Sequence, residues 1–215
     1  MITIACVYWQ RPDSEPYCPD WWILRLKKMV EDNITVPHRF VCLSNVPVPC
    51  ERIELTDGLE GWWNKVELFR PGQFEGRVFY LDLDTIIFED IDELLEREEE
   101  FIALRSFHEE RKDWPSYFNS SLMSWSADGS MDYMYEEYNP TEYLPGQWDQ
   151  EFYHDVVRKH NQSVYYWQEL VDGIYSYKKN IRRGLVTVSP RIVCFHGTPR
   201  PWDVKVYEKY LRDAG

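Results

Sequence analysis

Val78-Phe79-Tyr80-Leu81-Asp82-Leu83-Asp84, running on into Thr85-Ile86-Ile87-Phe88, is the stretch on which the fold turns. Strand side chains alternate between the faces of a sheet, so Asp82 and Asp84 share one face while Leu81 and Leu83 turn to the core. An apolar run of this kind belongs in the middle of an α/β sheet, where ligands gather at the carboxyl ends of strands. Two carboxylates at such an end are costly to leave unpaired. A hard divalent cation that also binds phosphate oxygens compensates them. The second Asp-x-Asp, Asp90-Ile91-Asp92, opens the acidic segment Asp-Ile-Asp-Glu-Leu-Leu and reads as a helix start instead.

Upstream of the aspartates, residues 2–9 read as a strand and 20–32 as an amphipathic helix capped by Asp20. Strands follow at 39–45 and 52–55, then a short helix at 61–69 before Pro71-Gly72. Downstream, a helical turn near 91–96 precedes strands at 101–106 and 118–125, helices at 128–138 and 147–160, and short strands near 164–167, 174–177 and 185–188. These lead to Ile192-Val193-Cys194-Phe195-His196-Gly197, and Pro201 starts a final amphipathic helix to about 212. Strands interleaved with helices in this order predict a three-layer α/β/α sandwich on a mostly parallel mixed sheet.

Neither a long linker nor a low-complexity tract divides the 215 residues, so a single domain over 1–215 is expected. A hydrophobic content of 44% with 16% aromatics excludes general disorder, and a formal charge of -13 argues against a DNA- or RNA-binding protein. A protein this acidic can bind a nucleotide if a cation and a few placed Arg or Lys residues offset the phosphate charge. The chain opens directly as a strand and has no membrane-length apolar run, from which a cytoplasmic location is expected. Its five cysteines are scattered without a Cys-x-x-Cys pair, and Cys6, Cys42 and Cys194 read as core residues.

Four separated landmarks now line up. They are Phe79-Tyr80-Leu81-Asp82-Leu83-Asp84-Thr85 continuing into Asp90-Ile91-Asp92-Glu93-Leu94, then Phe118-Asn119-Ser120-Ser121-Leu122-Met123, then Trp148-Asp149-Gln150-Glu151, and last His196-Gly197-Thr198-Pro199-Arg200-Pro201-Trp202. Together, over about residues 2–205, the chain resembles the nucleotide-sugar glycosyltransferases of the GT-A fold, above all family 8, the glycogenin and bacterial galactosyltransferase group. Two departures stand out: Ser120 and Ser121 where that family has a Gly, and a His196-to-Arg200 spacing two residues shorter than the family's His-to-Lys spacing. Arg in place of Lys at a phosphate is chemically sound, since a guanidinium makes two parallel hydrogen bonds.

The resemblance implies a metal-dependent transferase that moves a sugar from a UDP-linked donor to a hydroxyl acceptor with retention of configuration. It implies Asp82, Asp84 and His196 as metal ligands, and two oxygens with one imidazole suit manganese better than magnesium. Asn119 and Asp149 resemble the groups that bind the donor sugar's hydroxyls, and Gln150 the polar side chain beneath its anomeric carbon. Lys65 matches a basic position facing the nucleotide sugar, and Arg200 one that reaches the diphosphate. Tyr8 and Trp9, at the end of the first strand, are placed to stack on the base.

On the acceptor side, Trp114, Tyr117, Tyr143 and Trp148 are rings that could stack against a sugar, and 108–113 reads as a charged loop able to act as a lid. Two rival readings stand beside this one. A haloacid-dehalogenase-like phosphatase would use Asp82 as nucleophile, but it expects Asp-x-Asp-Gly-Thr near the start of the chain. A non-catalytic sugar-binding domain does not require a paired-carboxylate strand.

Overall fold

The computed structural model describes residues 1–11, 14–107, 118–142 and 148–204. In chain order its strands are β1 (Ile2–Tyr8), β2 (His38–Ser44), β3 (Glu51–Glu54), β4 (Arg77–Leu81), β5 (Thr85–Ile87), β6 (Phe101–Arg105), β7 (Phe118–Ser126), β8 (Tyr165–Tyr166), β9 (Ile174–Ser176) and β10 (Ile192–Cys194). The helices are α1 (Asp20–Asn33), α2 (Asp92–Leu95), α3 (Tyr133–Glu136), α4 (Asp149–Lys159) and α5 (Trp167–Leu170), with 3-10 segments at Gly61–Phe69, Ile181–Arg183 and Pro201–Asp203. Seven strands form one mixed sheet in the order β3-β2-β1-β4-β7-β6-β8, and β5-β10-β9 form a second. In the large sheet only β7 runs antiparallel to its neighbours, β4 and β6.

Alternation along the central strands builds the layers. Ile4, Cys6, Phe79 and Leu81 turn to the face covered by α1, whose Trp22, Ile23, Leu26 and Val30 complete that core. Ala5, Val7, Val78 and Tyr80 turn to the other face, covered by Val66, Leu68 and Phe69 of the 3-10 helix and by Phe152, Tyr153 and Val156 of α4. Helical segments on both faces of a twisted sheet give the α/β/α sandwich that the pattern predicts.

The aspartate strand differs from expectation in one respect that matters for the site. β4 ends at Leu81, and although the Asp82 N–H still bonds the Ser121 carbonyl at 2.8 Å, the chain then leaves the large sheet. Thr85–Ile87 pairs antiparallel with β10 instead. The indole N–H of Trp22 fixes this crossing by donating to the Leu83 carbonyl at 2.6 Å. Asp82 and Asp84 therefore sit on the bridge between two sheets rather than on one uninterrupted strand.

Other boundaries shift for local reasons. Pro19, extended, is the N-cap of α1, and Asp20 is its first helical residue. The helix expected over 128–138 is only α3, because Asp128 turns the chain by accepting the Ser130 N–H at 2.9 Å and Gly129 takes a φ of 92°. The segment 61–69 is a 3-10 rather than an α-helix. No strand forms at 185–188: the Thr187 and Val188 N–H groups donate to the hydroxyl of Tyr175, at 3.2 and 3.1 Å, instead of to a sheet. Of the final helix, the described part is the turn Pro201–Asp203, and 205–212 lie outside the described residues. No described helix is long and apolar enough to cross a membrane.

Candidate active site

At the carboxyl end of β4 a lysine whose side chain is only 13% exposed gathers three other polar groups. Lys65 Nζ lies 2.7 Å from Asp82 Oδ1, 3.3 Å from Asp149 Oδ2 and 3.3 Å from the hydroxyl of Ser120. Ser120 in turn donates to Asp149 Oδ2 at 2.6 Å, and the Tyr80 hydroxyl donates to Asp82 Oδ1 at 2.5 Å. Each member comes from a different element: the 3-10 helix Gly61–Phe69, the β4 end, β7 and the first turn of α4. Burial by itself would lower the lysine's pKa, but Asp149 and Asp82 outweigh it and hold the ammonium charged well above its ordinary value. Burial would likewise raise Asp82, yet Lys65 and the hydrogen bonds of Tyr80 and Ser121 keep its carboxyl below the usual range.

Asp84 belongs to a second ion pair, with the Arg200 guanidinium. Arg200 is placed by the turn it opens, where its N–H donates to the Asp203 carboxylate at 3.0 Å. His196 lies at the same end of the molecule, since the N–H of the preceding Phe195 donates to the Asp84 carbonyl at 3.0 Å. Its ring rests against Phe107 at 5.1 Å between centroids, and its carbonyl accepts from Lys178. Among the described residues no three His, Cys, Asp or Glu side chains come close enough together to hold a metal ion. The two carboxylates are a donor set suited to a hard divalent cation. As placed, each is neutralised by a basic side chain, Asp82 by Lys65 and Asp84 by Arg200.

Burial and the charge of Asp82 push the Asp84 carboxyl up to about 7, against the pull of Arg200 and Lys65. An acid whose folded pKa is raised binds more protons folded than unfolded, so stability is lost as pH rises between its unfolded and folded values. In chelator, the protein should therefore lose stability between about pH 4 and pH 7, by up to a few kcal/mol on the order of 1.4 per pKa unit. Asp82, with its lowered value, titrates below this window. Urea unfolding of the wild type and Asp84→Asn at several pH values checks this: the wild type should fall relative to the variant as pH rises through this window, and parallel curves contradict it.

The other residues singled out in the sequence fall as follows. Asn119 is buried, with Oδ1 accepting the Ser121 N–H at 3.0 Å, and Asp149 is buried behind Lys65 and Ser120. Gln150, next along α4, is half-buried, and no hydrogen bond engages its side chain among the described residues. Tyr8 is a core residue, 1% exposed, so its ring offers no face to a base; its hydroxyl accepts from Gln10 Nε2 at 3.0 Å. Trp9 is half-buried, stacked on Tyr17 at 5.2 Å with the Arg11 guanidinium 5.6 Å from its ring. Trp148 is exposed and stacks on Trp62 at 4.8 Å. Trp114, Tyr117, Tyr143 and the loop 108–113 lie outside the described residues.

Sequence reasoning missed three participants. Tyr80 was readable, since it stands two residues before Asp82 on the same strand face. Ser120 was noted only as a departure from a glycine, whereas it bridges Lys65 and Asp149. Lys178 was passed over just beyond the short strand read at 174–177, although two Lys and two Arg in six residues are unusual in so acidic a chain.

No family model matches the sequence, and no curated protein does. Solved structures do match. An active-site Gln-to-Glu mutant of LgtC superposes with a TM-score of 0.64 at 12% identity, over 99% of this chain and 94% of that one. The galactosyltransferase LgtC in complex with donor and acceptor sugar analogues gives 0.61 at 12%, over 99% and 95%. The apo form of the glycosyltransferase GlyE from Streptococcus pneumoniae TIGR4 gives 0.63 at 13%, over 99% of this chain and 59% of that one. The chain therefore has the GT-A glycosyltransferase fold along its whole length.

Proposed function

We propose that this chain is a single-domain, metal-dependent glycosyltransferase that moves a sugar from a UDP-linked donor to a carbohydrate hydroxyl with retention of configuration. The observation that supports it most is the meeting of Asp82 and Asp84 with Lys65, Arg200 and Asp149 at one sheet end of a glycosyltransferase fold. Asp82 and Asp84 would hold manganese or magnesium, with His196 from the neighbouring strand end. Such an ion neutralises the charge that builds on a diphosphate as the sugar bond breaks. Lys65 and Arg200, already cationic partners of those carboxylates, would share that charge with the donor. Gln150, with its half-open amide, would face the reacting sugar, and LgtC has a Gln-to-Glu mutant described as an active-site mutant. A carbohydrate acceptor follows by analogy with LgtC, which was solved with donor and acceptor sugar analogues. Five free thiols, four of them buried, support a reducing, cytoplasmic setting.

A phosphatase using Asp82 as nucleophile is the weaker reading, because Asp82 Oδ1 is already taken by Lys65 and Tyr80. Thermal unfolding with UDP, GDP and phosphate, each with and without manganese, separates the readings. A ligand at 100 times its dissociation constant stabilises the native state by about 2.7 kcal/mol. UDP should raise the melting temperature clearly more when manganese is present than in chelator. Stabilisation by beryllium fluoride with magnesium, and none by UDP, would favour the phosphatase.

A further inference from the structure

Lys178-Lys179-Asn180-Ile181-Arg182-Arg183 carries four cations and no carboxylate in six residues, within a chain of net charge -13. The stretch leaves β9 and closes into the 3-10 turn Ile181–Arg183. Asn180 fixes the exit: its Oδ1 accepts the Ser176 N–H at 2.8 Å and its own N–H donates to the Ser176 carbonyl at 2.9 Å. β9 runs parallel to β10 with Ser176 beside Cys194, so the residue two beyond one strand comes level with the residue two beyond the other. That brings Lys178 to His196, whose carbonyl its ammonium contacts directly.

The ammonium has donors to spare. Lysine carries three N–H groups, and the His196 carbonyl uses one. Gly197, with φ 70°, has no side chain to cover it: a Cβ there would come 3.6 Å from Lys178 Nζ and within 4 Å of nothing else among the described residues beyond its chain neighbours. Arg200, four residues beyond His196 and paired with Asp84, brings a second cation to the same strand end, and two cations converging there are the electrostatic condition for an anion site.

We propose that Lys178 binds the donor's diphosphate alongside Arg200. This rests on the nucleotide-sugar reading and adds a binding residue that no sequence landmark marked. It also gives the short His196-to-Arg200 spacing a consequence: with Arg200 drawn to Asp84, a second cation from the neighbouring strand shares the phosphate.

Calorimetric titrations in chelator with UDP, uridine and inorganic pyrophosphate test it. Lys178→Ala should weaken UDP and pyrophosphate about tenfold or more, the size of one charge-assisted hydrogen bond, and leave uridine unchanged. Lys178→Arg should retain most of the affinity. Lys179→Ala, which removes the same charge one residue on, should change neither ligand more than about twofold. Wild-type affinity in Lys178→Ala, or an equal loss for uridine, overturns the proposal. If the wild type binds pyrophosphate but not UDP, the nucleotide reading fails while Lys178 is still judged on pyrophosphate; if it binds neither, both fall.

Discussion

Replacing Lys65 with Met should cost about 3–5 kcal/mol of stability, the penalty for removing one partner of a buried ion pair. The side chains of Lys65, Asp82 and Asp149 are 13%, 19% and 3% exposed, so solvent screens these contacts little. Methionine nearly matches the lysine stem in length, so packing is kept while two carboxylates are left facing each other without a cation. Both should then take up protons more readily, and the loss should be greatest at alkaline pH. Asp149→Asn in the same chain should recover part of it, because the two substitutions share one network and are not additive. Urea unfolding of the two single variants and the double variant measures this. A loss below about 1 kcal/mol for Lys65→Met would mean that the cluster is solvated and contributes no more than a surface pair.

Gln150→Ala should behave in the opposite way. Its side chain is half-buried with no hydrogen bond among the described residues, so stability should change by no more than about 0.5 kcal/mol. If its amide faces the reacting sugar, the transfer rate should fall by about 10²–10³, the usual loss when one aligned polar group is removed from a transition state. UDP affinity should be unchanged, since the diphosphate is held by other residues. A fall in kcat without a change in KM for the donor is the expected split. A variant that loses UDP binding in proportion to rate would move Gln150 from the sugar to the nucleotide.

The contrast between these two residues shows what could be read in advance. Asp82 stood out by its own chemistry, a carboxylate after an apolar strand, whereas Lys65, Asp149 and Gln150 stood out through the stretches that resemble the glycosyltransferase family. Central strands were readable too, since period-two alternation writes both core faces into Val78–Leu81 and Ile4–Val7. What local pattern cannot carry is the partner across the fold. The Arg200 contact with Asp84 joins positions 116 residues apart. Nothing near Thr85 signals that its strand leaves the large sheet to pair with Cys194. A strand-end aromatic such as Tyr8 faces either ligand or core, and only packing decides; here it is core. A strand at 185–188 was inferred from apolar residues that prove exposed, their backbone held by one tyrosine hydroxyl.

The most direct test of the central claim is the free manganese signal in electron paramagnetic resonance, followed as protein is added with and without UDP. Wild-type chain with UDP should remove about one manganese per molecule from solution, Asp84→Asn should leave the ion free, and uridine should not substitute for UDP. Manganese taken up equally by Asp84→Asn, or by neither protein at any UDP concentration, would contradict a cation held between Asp82 and Asp84 that carries a diphosphate.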